Sequence, residues 1–151
     1  SSSRRSVPAR IPAMRFPNIP ARVVPALVLV LLACGGDKGR WAAFIPPATP
    51  AEHQRGERLF NTYCLSCHGR AGKGDGLGPP MLDTLFHAPA VPDSMFLVAV
   101  RTGAKQKYYN FGAMPPLNRV SDVEVEAIRG YVRWVQGEGD AWARTQGGAP
   151  Q

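Results

Sequence analysis

Residues 51–68 read AEHQRGERLFNTYCLSCH, a helical pattern that runs without a break into two cysteines and a histidine. Thr49-Pro50-Ala51-Glu52 just before it has the form of a capping box with Pro at the first helical position. Together these predict a helix from about Pro50 to Tyr63. Leu59, Phe60 and Tyr63 fall on one side, and Gly56 lies one turn before Phe60. Beyond Cys67-His68 the chain turns Gly-rich, with Gly69, Gly72, Gly74, Gly76 and Gly78. No Gly-Lys-Ser/Thr follows, so these glycines are not a phosphate cradle.

Cys64-Leu65-Ser66-Cys67-His68 is a C-x-x-C-H sequence, the attachment signature for haem c. Two thiols separated by two residues match the spacing of the two porphyrin vinyl groups, and the next residue then lies beneath the iron. His68 is therefore placed to give an imidazole nitrogen as proximal ligand. Other readings compete. A redox C-x-x-C prefers a βαβ context. Structural zinc needs four ligands, and only His53, His87 or an acid remain to complete the set. A Cys64–Cys67 disulfide leaves His68 without a role.

A low-spin haem needs a second axial ligand, and Met is the usual thioether choice. Met81 follows His68 by only 13 positions in Gly78-Pro79-Pro80-Met81, too few to reach the opposite haem face comfortably. Met95 lies in a predicted helix and is expected to pack in the core. Met114 lies in Gly112-Ala113-Met114-Pro115-Pro116, where two prolines stiffen the loop. It is the expected sixth ligand, and His87 is the rival that would make a bis-His haem.

Ser121-Asp122-Val123-Glu124 is a second capping box. The helix it opens is expected to end near Gln136 with Gly137 as its stop, burying Ile128, Tyr131, Val132 and Val135 at i, i+3, i+4 and i+7. A shorter helix is expected at 94–102, stopped by Gly103. No segment reads as a strand, so the fold class is all-α.

With these residues in place, the stretch from Glu52 to Val135 resembles a class I cytochrome c domain: a small helical fold around one covalent haem, with its first and last helices crossing. The resemblance implies that Gly56 and Phe60 meet Ile128 and Tyr131 at that crossing. It also implies that a Pro carbonyl of a Gly-Pro-x-Leu element accepts a hydrogen bond from the proximal His. Here that element is one residue longer, Gly78-Pro79-Pro80-Met81-Leu82, so either Pro79 or Pro80 can serve. In related cytochromes, residues in the position of Tyr108, Tyr109 and Asn110 contact a propionate or the Met sulfur. Lys105 and Lys107 would flank the exposed haem edge.

The N-terminal segment is read as an address. The first 33 residues hold five of the 18 Lys and Arg and no acid, leaving 13 bases against 11 acids in the rest. The net charge of +7 thus belongs mostly to the tail, and the folded part offers no basic patch for nucleic acid. Residues 23–33 form an uncharged apolar run of 11, too short to span a bilayer but suited to a signal-peptide core. Leu31-Leu32-Ala33-Cys34 resembles the lipobox of bacterial lipoproteins, which implies lipidation of Cys34 and cleavage before it. The expected organisation is a signal peptide at 1–33, a lipidated Cys and Pro/Gly-rich tether at 34–50, the haem domain at 51–137, and a flexible tail at 138–151. Trp41 and Phe44 in the tether suit either the membrane interface or the domain.

The function expected is electron transfer by one haem, not catalysis. It would operate on the outer or periplasmic face of a membrane, held by a lipid anchor. Partners would be membrane redox complexes: a quinol-oxidising complex upstream and a terminal oxidase, reductase or reaction centre downstream. The chain would be either a shuttle or a subunit. The rivals are a haem enzyme with an open sixth site acting on a small ligand such as peroxide, and a structural subunit of a respiratory or photosynthetic complex.

Overall fold

The computed structural model describes residues 39–74 and 76–147. The expected signal peptide, the lipobox with Cys34 and the last four residues lie outside them. The described residues hold four α-helices: α1 (Ala51–Tyr63), α2 (Leu65–His68), α3 (Asp93–Thr102) and α4 (Asp122–Thr145). Short 3-10 turns occur at Arg70–Gly72 and Thr84–Phe86, and no strand occurs among the described residues beyond an isolated bridge between Ala104 and Met114.

α1 crosses α4, and the sequence shows why the approach is close. A Cβ on Gly56 would lie 2.1 Å from the Ala127 carbonyl oxygen and 2.8 Å from Tyr131 Cβ. Only a residue without a side chain lets the two backbones meet there. One turn on, the Phe60 and Tyr131 rings pack with centroids 5.5 Å apart. Phe60, Ile128 and Tyr131 are buried with Phe96, Val100, Val120, Val125 and Val132 in the main core. Each fully buried aliphatic or aromatic side chain contributes about 1.5–3 kcal/mol.

The two N-terminal caps differ. At α4 the Ser121 hydroxyl accepts from the Glu124 amide, and the Glu124 carboxylate accepts from the Ser121 amide at 2.8 Å, completing the box. The box expected at Thr49 does not form. Pro50 is itself the cap residue, extended at φ −64° and ψ 156°, and no side chain caps the helix. The helix therefore starts one residue late, and the third helical position falls on His53 rather than Glu52.

Two further expectations are corrected. α4 does not stop at Gly137 but runs on to Thr145, so residues 138–145 are helix rather than a loose tail. The reason is packing. Gly139 and Ala143 continue the buried face of Val132 and Val135, and Trp41, Phe44, Ala71 and Leu82 lie against it. That burial outweighs a cost of about 1 kcal/mol for each helical Gly. The same packing answers the question left by the tether. Trp41 and Phe44 are buried (2% and 1% exposed) and form an aromatic cluster with Trp142. The Phe44 carbonyl also accepts from Lys73 Nζ at 3.3 Å. Residues from Trp41 onward thus belong to the folded unit.

α3 ends at Gly103, whose φ is 77°. A Cβ there would lie 2.5 Å from the Met114 carbonyl oxygen, so this glycine lets the Met114 loop close onto the helix end.

Candidate functional site

Cys64 closes α1, and Cys67 and His68 belong to the single turn of α2 that continues it. The Cys64 amide donates to the Phe60 carbonyl at 2.8 Å, and the His68 amide donates to the Cys64 carbonyl at 2.9 Å. The ladder carries nearly straight through the motif and sets Cys64 one turn before the adjacent Cys67 and His68 on one rod. Both cysteines are free thiols rather than a disulfide. Burial, then the neighbouring Cys67, pushes the Cys64 thiol up to about 12. Among the described residues, no three His, Cys, Asp or Glu side chains converge as a metal site.

His68 is fixed by the loop that follows. Its Nδ1 donates to the Pro79 carbonyl oxygen at 3.1 Å, so of the two prolines left open by the sequence, Pro79 makes this bond. Pro80 is buried with no such role. Burial lowers the His68 pKa below the ordinary value, with the Pro79 carbonyl opposing it. The ring is thus neutral at physiological pH. With its proton on Nδ1, the Nε2 lone pair is available to a metal. The Gly-rich stretch between them packs against the motif itself: a Cβ on Gly76 would lie 2.5 Å from the Cys67 carbonyl oxygen.

Met114 is half-buried and packs against the same core cluster as Cys64. Its amide donates to the Ala104 carbonyl at 2.8 Å, and its carbonyl accepts from the Ala104 amide at 3.0 Å. Downstream of Pro115 and Pro116, the Leu117 amide donates to Val100 at 2.7 Å. The loop is therefore pinned at both ends before any cofactor is considered. Met114 also lines an open cleft of about 310 Å³ with Thr102, Gly103, Ala104, Lys105 and Ala113.

Met81 is half-buried against the same core cluster as Met114, but its amide and carbonyl are tied to Gly72 and Gln136 on the His68 side of the loop. Met95 is 51% exposed, which corrects its expected place in the core: the buried face of α3 is Phe96 and Val100, four apart, and Met95 points off it. His87, the rival ligand, has Nε2 3.1 Å from the Leu82 carbonyl oxygen and Nδ1 3.5 Å from an Asp140 carboxylate oxygen. Both ring nitrogens already face protein acceptors, so the residue is not a free surface histidine. Tyr109 donates its hydroxyl to Asp83 at 2.6 Å and stacks on Phe86. Tyr108 is exposed beneath Lys107 Nζ, 4.6 Å from the ring centroid. Asn110 accepts from Gln106 at 3.3 Å on the surface.

This donor set suits a covalent haem. Two thiols sit one turn apart, a neutral imidazole beside them has an uncommitted Nε2, and a thioether borders the same apolar cluster. What sequence reading missed is the support behind it. Asp83 caps the 84–86 turn, and Gln136 and Arg133 hydrogen-bond to backbone carbonyls of 81–91. Nothing in the helical periodicity singles out those polar positions on the flank of a buried face.

The family model described as cytochrome C oxidase, cbb3-type, subunit III matches residues 51–132. No curated protein matches the chain.

Proposed function

From its membership of the family of cbb3-type cytochrome c oxidase subunit III, and hence its covalently bound c-type haem, we propose how this electron-transfer domain is built and where it works. Cys64 and Cys67 form the thioether links, His68 Nε2 is the proximal ligand, and the Met114 sulfur is the distal one. The observation that carries this reading is the His68–Pro79 bond, which engages Nδ1 and leaves Nε2 for a metal, beside two free thiols.

The group bound there supplies a one-electron couple at its iron. The residues supply the rest. The Pro79 carbonyl holds the imidazole ring in one orientation and raises its basicity. The Ala104–Met114 bridge and the two prolines hold the thioether without an ordering step at each turnover. Phe60, Ile128 and Tyr131 exclude water and keep the local dielectric low. With His68 and Met114 each held by the backbone in this way, both would stay in place in either oxidation state and keep the reorganisation cost small.

Membership of a family of oxidase subunits supports a place as a subunit of a membrane-bound terminal oxidase, receiving electrons from an upstream quinol-oxidising system. Among the described residues no helix is long and apolar enough to cross a membrane. Attachment in this reading comes from lipid on Cys34. Because Trp41 already belongs to the domain, only seven residue steps separate it from Cys34, at most about 25 Å of extended chain. The domain then works close to the bilayer surface.

Expression with a cytochrome c maturation system, followed by intact-mass analysis and a pyridine haemochrome assay, tests the attachment. One haem per chain is expected, and Cys64→Ala or Cys67→Ala should leave one vinyl group unreacted and give a haemochrome that differs from wild type. No covalent haem would overturn the assignment. Loss of membrane association and of fatty-acid labelling in Cys34→Ala tests the anchor separately.

A further inference from the structure

We infer that Gln136, braced by Arg133, is a positioning residue for the His68 ligand: it fixes the backbone whose Pro79 carbonyl orients the imidazole. The inference rests on His68 being the iron ligand.

Gln136 is the one buried polar side chain among the described residues, at 4% exposure. Its Nε2 donates to the Met81 carbonyl at 2.7 Å and to the Phe86 carbonyl at 3.2 Å. Its Oε1 accepts from Arg133 Nη1 at 3.0 Å. Both amide protons and one oxygen lone pair are therefore used, and only this orientation of the amide satisfies all three partners. Arg133 extends the set, donating to the Phe86 carbonyl at 3.0 Å, to the Val91 carbonyl, and through Nε to Asp93 at 3.0 Å. One face of α4 thus holds three carbonyls of a segment whose only regular structure is the 84–86 turn.

The route to His68 is short. The Met81 peptide is held on its other side too, since its amide donates to the Gly72 carbonyl at 2.7 Å. Two residues upstream is the Pro79 carbonyl that accepts from His68 Nδ1. Between the two lies only Pro80, whose φ is fixed by its ring, and Pro79 itself is restricted in ψ by the proline after it. A displacement at Met81 is not absorbed by such a backbone but passes to the Pro79 carbonyl. A merely space-filling core residue at position 136 needs no amide. Here the amide is what makes the contact.

Oxidised and reduced holoprotein carrying Gln136→Leu, which keeps the bulk and removes the donor, tests this. Gln136→Asn is a second variant that keeps an amide one methylene too short to reach both carbonyls. Phe44→Ala, which removes a buried ring from the other cluster and touches neither carbonyl, is the control. Three quantities are read: thermal stability, the exchange rate of the His68 Nδ1 proton by NMR, and the reduction potential. Gln136→Leu is expected to speed that exchange by about tenfold, the equivalent of roughly 1.4 kcal/mol of lost ordering. It should also raise the potential, because a weaker bond at Nδ1 makes the ligand a poorer donor to ferric iron. Gln136→Asn should move both in the same direction by less, and it carries the test alone if the Leu variant does not accumulate. Phe44→Ala should lose stability with neither quantity changed. If the Gln136 variants behave as Phe44→Ala does, the residue is structural and the inference falls. If oxidised wild-type protein shows no paramagnetically shifted His68 ring signals, the ligand assignment fails first, and the inference with it.

Discussion

Replacing Gly56 with Ala tests the helix crossing with a sign that two arguments dispute. On an exposed helix the change would stabilise by about 1 kcal/mol, the propensity difference between the residues. Here the new methyl would sit 2.1 Å from the Ala127 carbonyl oxygen, 2.8 Å from Tyr131 Cβ and 2.9 Å from the Ala127 carbonyl carbon. Two of these are backbone atoms and the third is fixed to it, so no rotamer relieves the clash. Ordinary van der Waals contact requires α1 and α4 to part by about 1 Å, which loosens the Phe60–Tyr131 contact and the fully buried Phe60 ring. Overpacking of this kind costs about 1–3 kcal/mol, and separation of the core faces adds to it. After the propensity gain, the net loss is about 2 kcal/mol, or roughly 10 °C in Tm for a domain near 100 residues. Denaturant and thermal unfolding of the holoprotein, followed by far-UV circular dichroism, measure it. A Tm equal to or above wild type would refute the close approach on which the crossing rests.

Ser121→Ala should cost about 1 kcal/mol at neutral pH by removing the cap of α4. The Ser121 amide and hydroxyl hold the Glu124 carboxylate below its ordinary pKa, so the ionised Glu124 adds stability above its unfolded value near 4.5. That contribution is lost as pH falls through the lower folded value, and the gap between wild type and Ser121→Ala should narrow in acid unfolding curves. Trp41→Ala should cost about 3–5 kcal/mol and unlock the C-terminal turns of α4, seen as faster amide exchange at 139–145. Trp41→Phe should cost less, because the buried indole N–H has no hydrogen-bond partner to lose. Tyr109→Phe should cost about 1 kcal/mol in thermal unfolding by stripping Asp83 of a donor, with the optical spectrum of the haem unchanged.

Much of this was legible because local chemistry and tertiary role coincide. The C-x-x-C-H turn, Gly56 before Phe60, the Ser121 box and Gly103 as a stop each have a short-range cause written in adjacent residues. What escaped has a long-range one. Gly137 and Gly139 lower helix propensity, and only the distant Trp41 and Phe44, which cover the far end of α4, keep those turns helical. Those two aromatics stand in a Pro-rich stretch without a period, so no pattern reveals that they are buried. Thr49 had the right spacing for a cap, but Pro50 took the cap position with its extended backbone. Met95 lies one residue from the buried face of α3, an offset of about 100° that a short apolar run does not resolve. The choice between Pro79 and Pro80 depended on where the loop returns to His68, which the spacing alone leaves open.

The most direct test of the central assignment is the weak red charge-transfer band of a Met–ferric-iron bond, recorded in wild type, Met114→Ala and Met81→Ala holoprotein. The band should be present in wild type and in Met81→Ala. Met114→Ala should lose it and gain carbon monoxide binding in the reduced state. A wild-type protein that is high-spin, lacks the band and binds carbon monoxide without any substitution would contradict the account and favour a haem with an open sixth site.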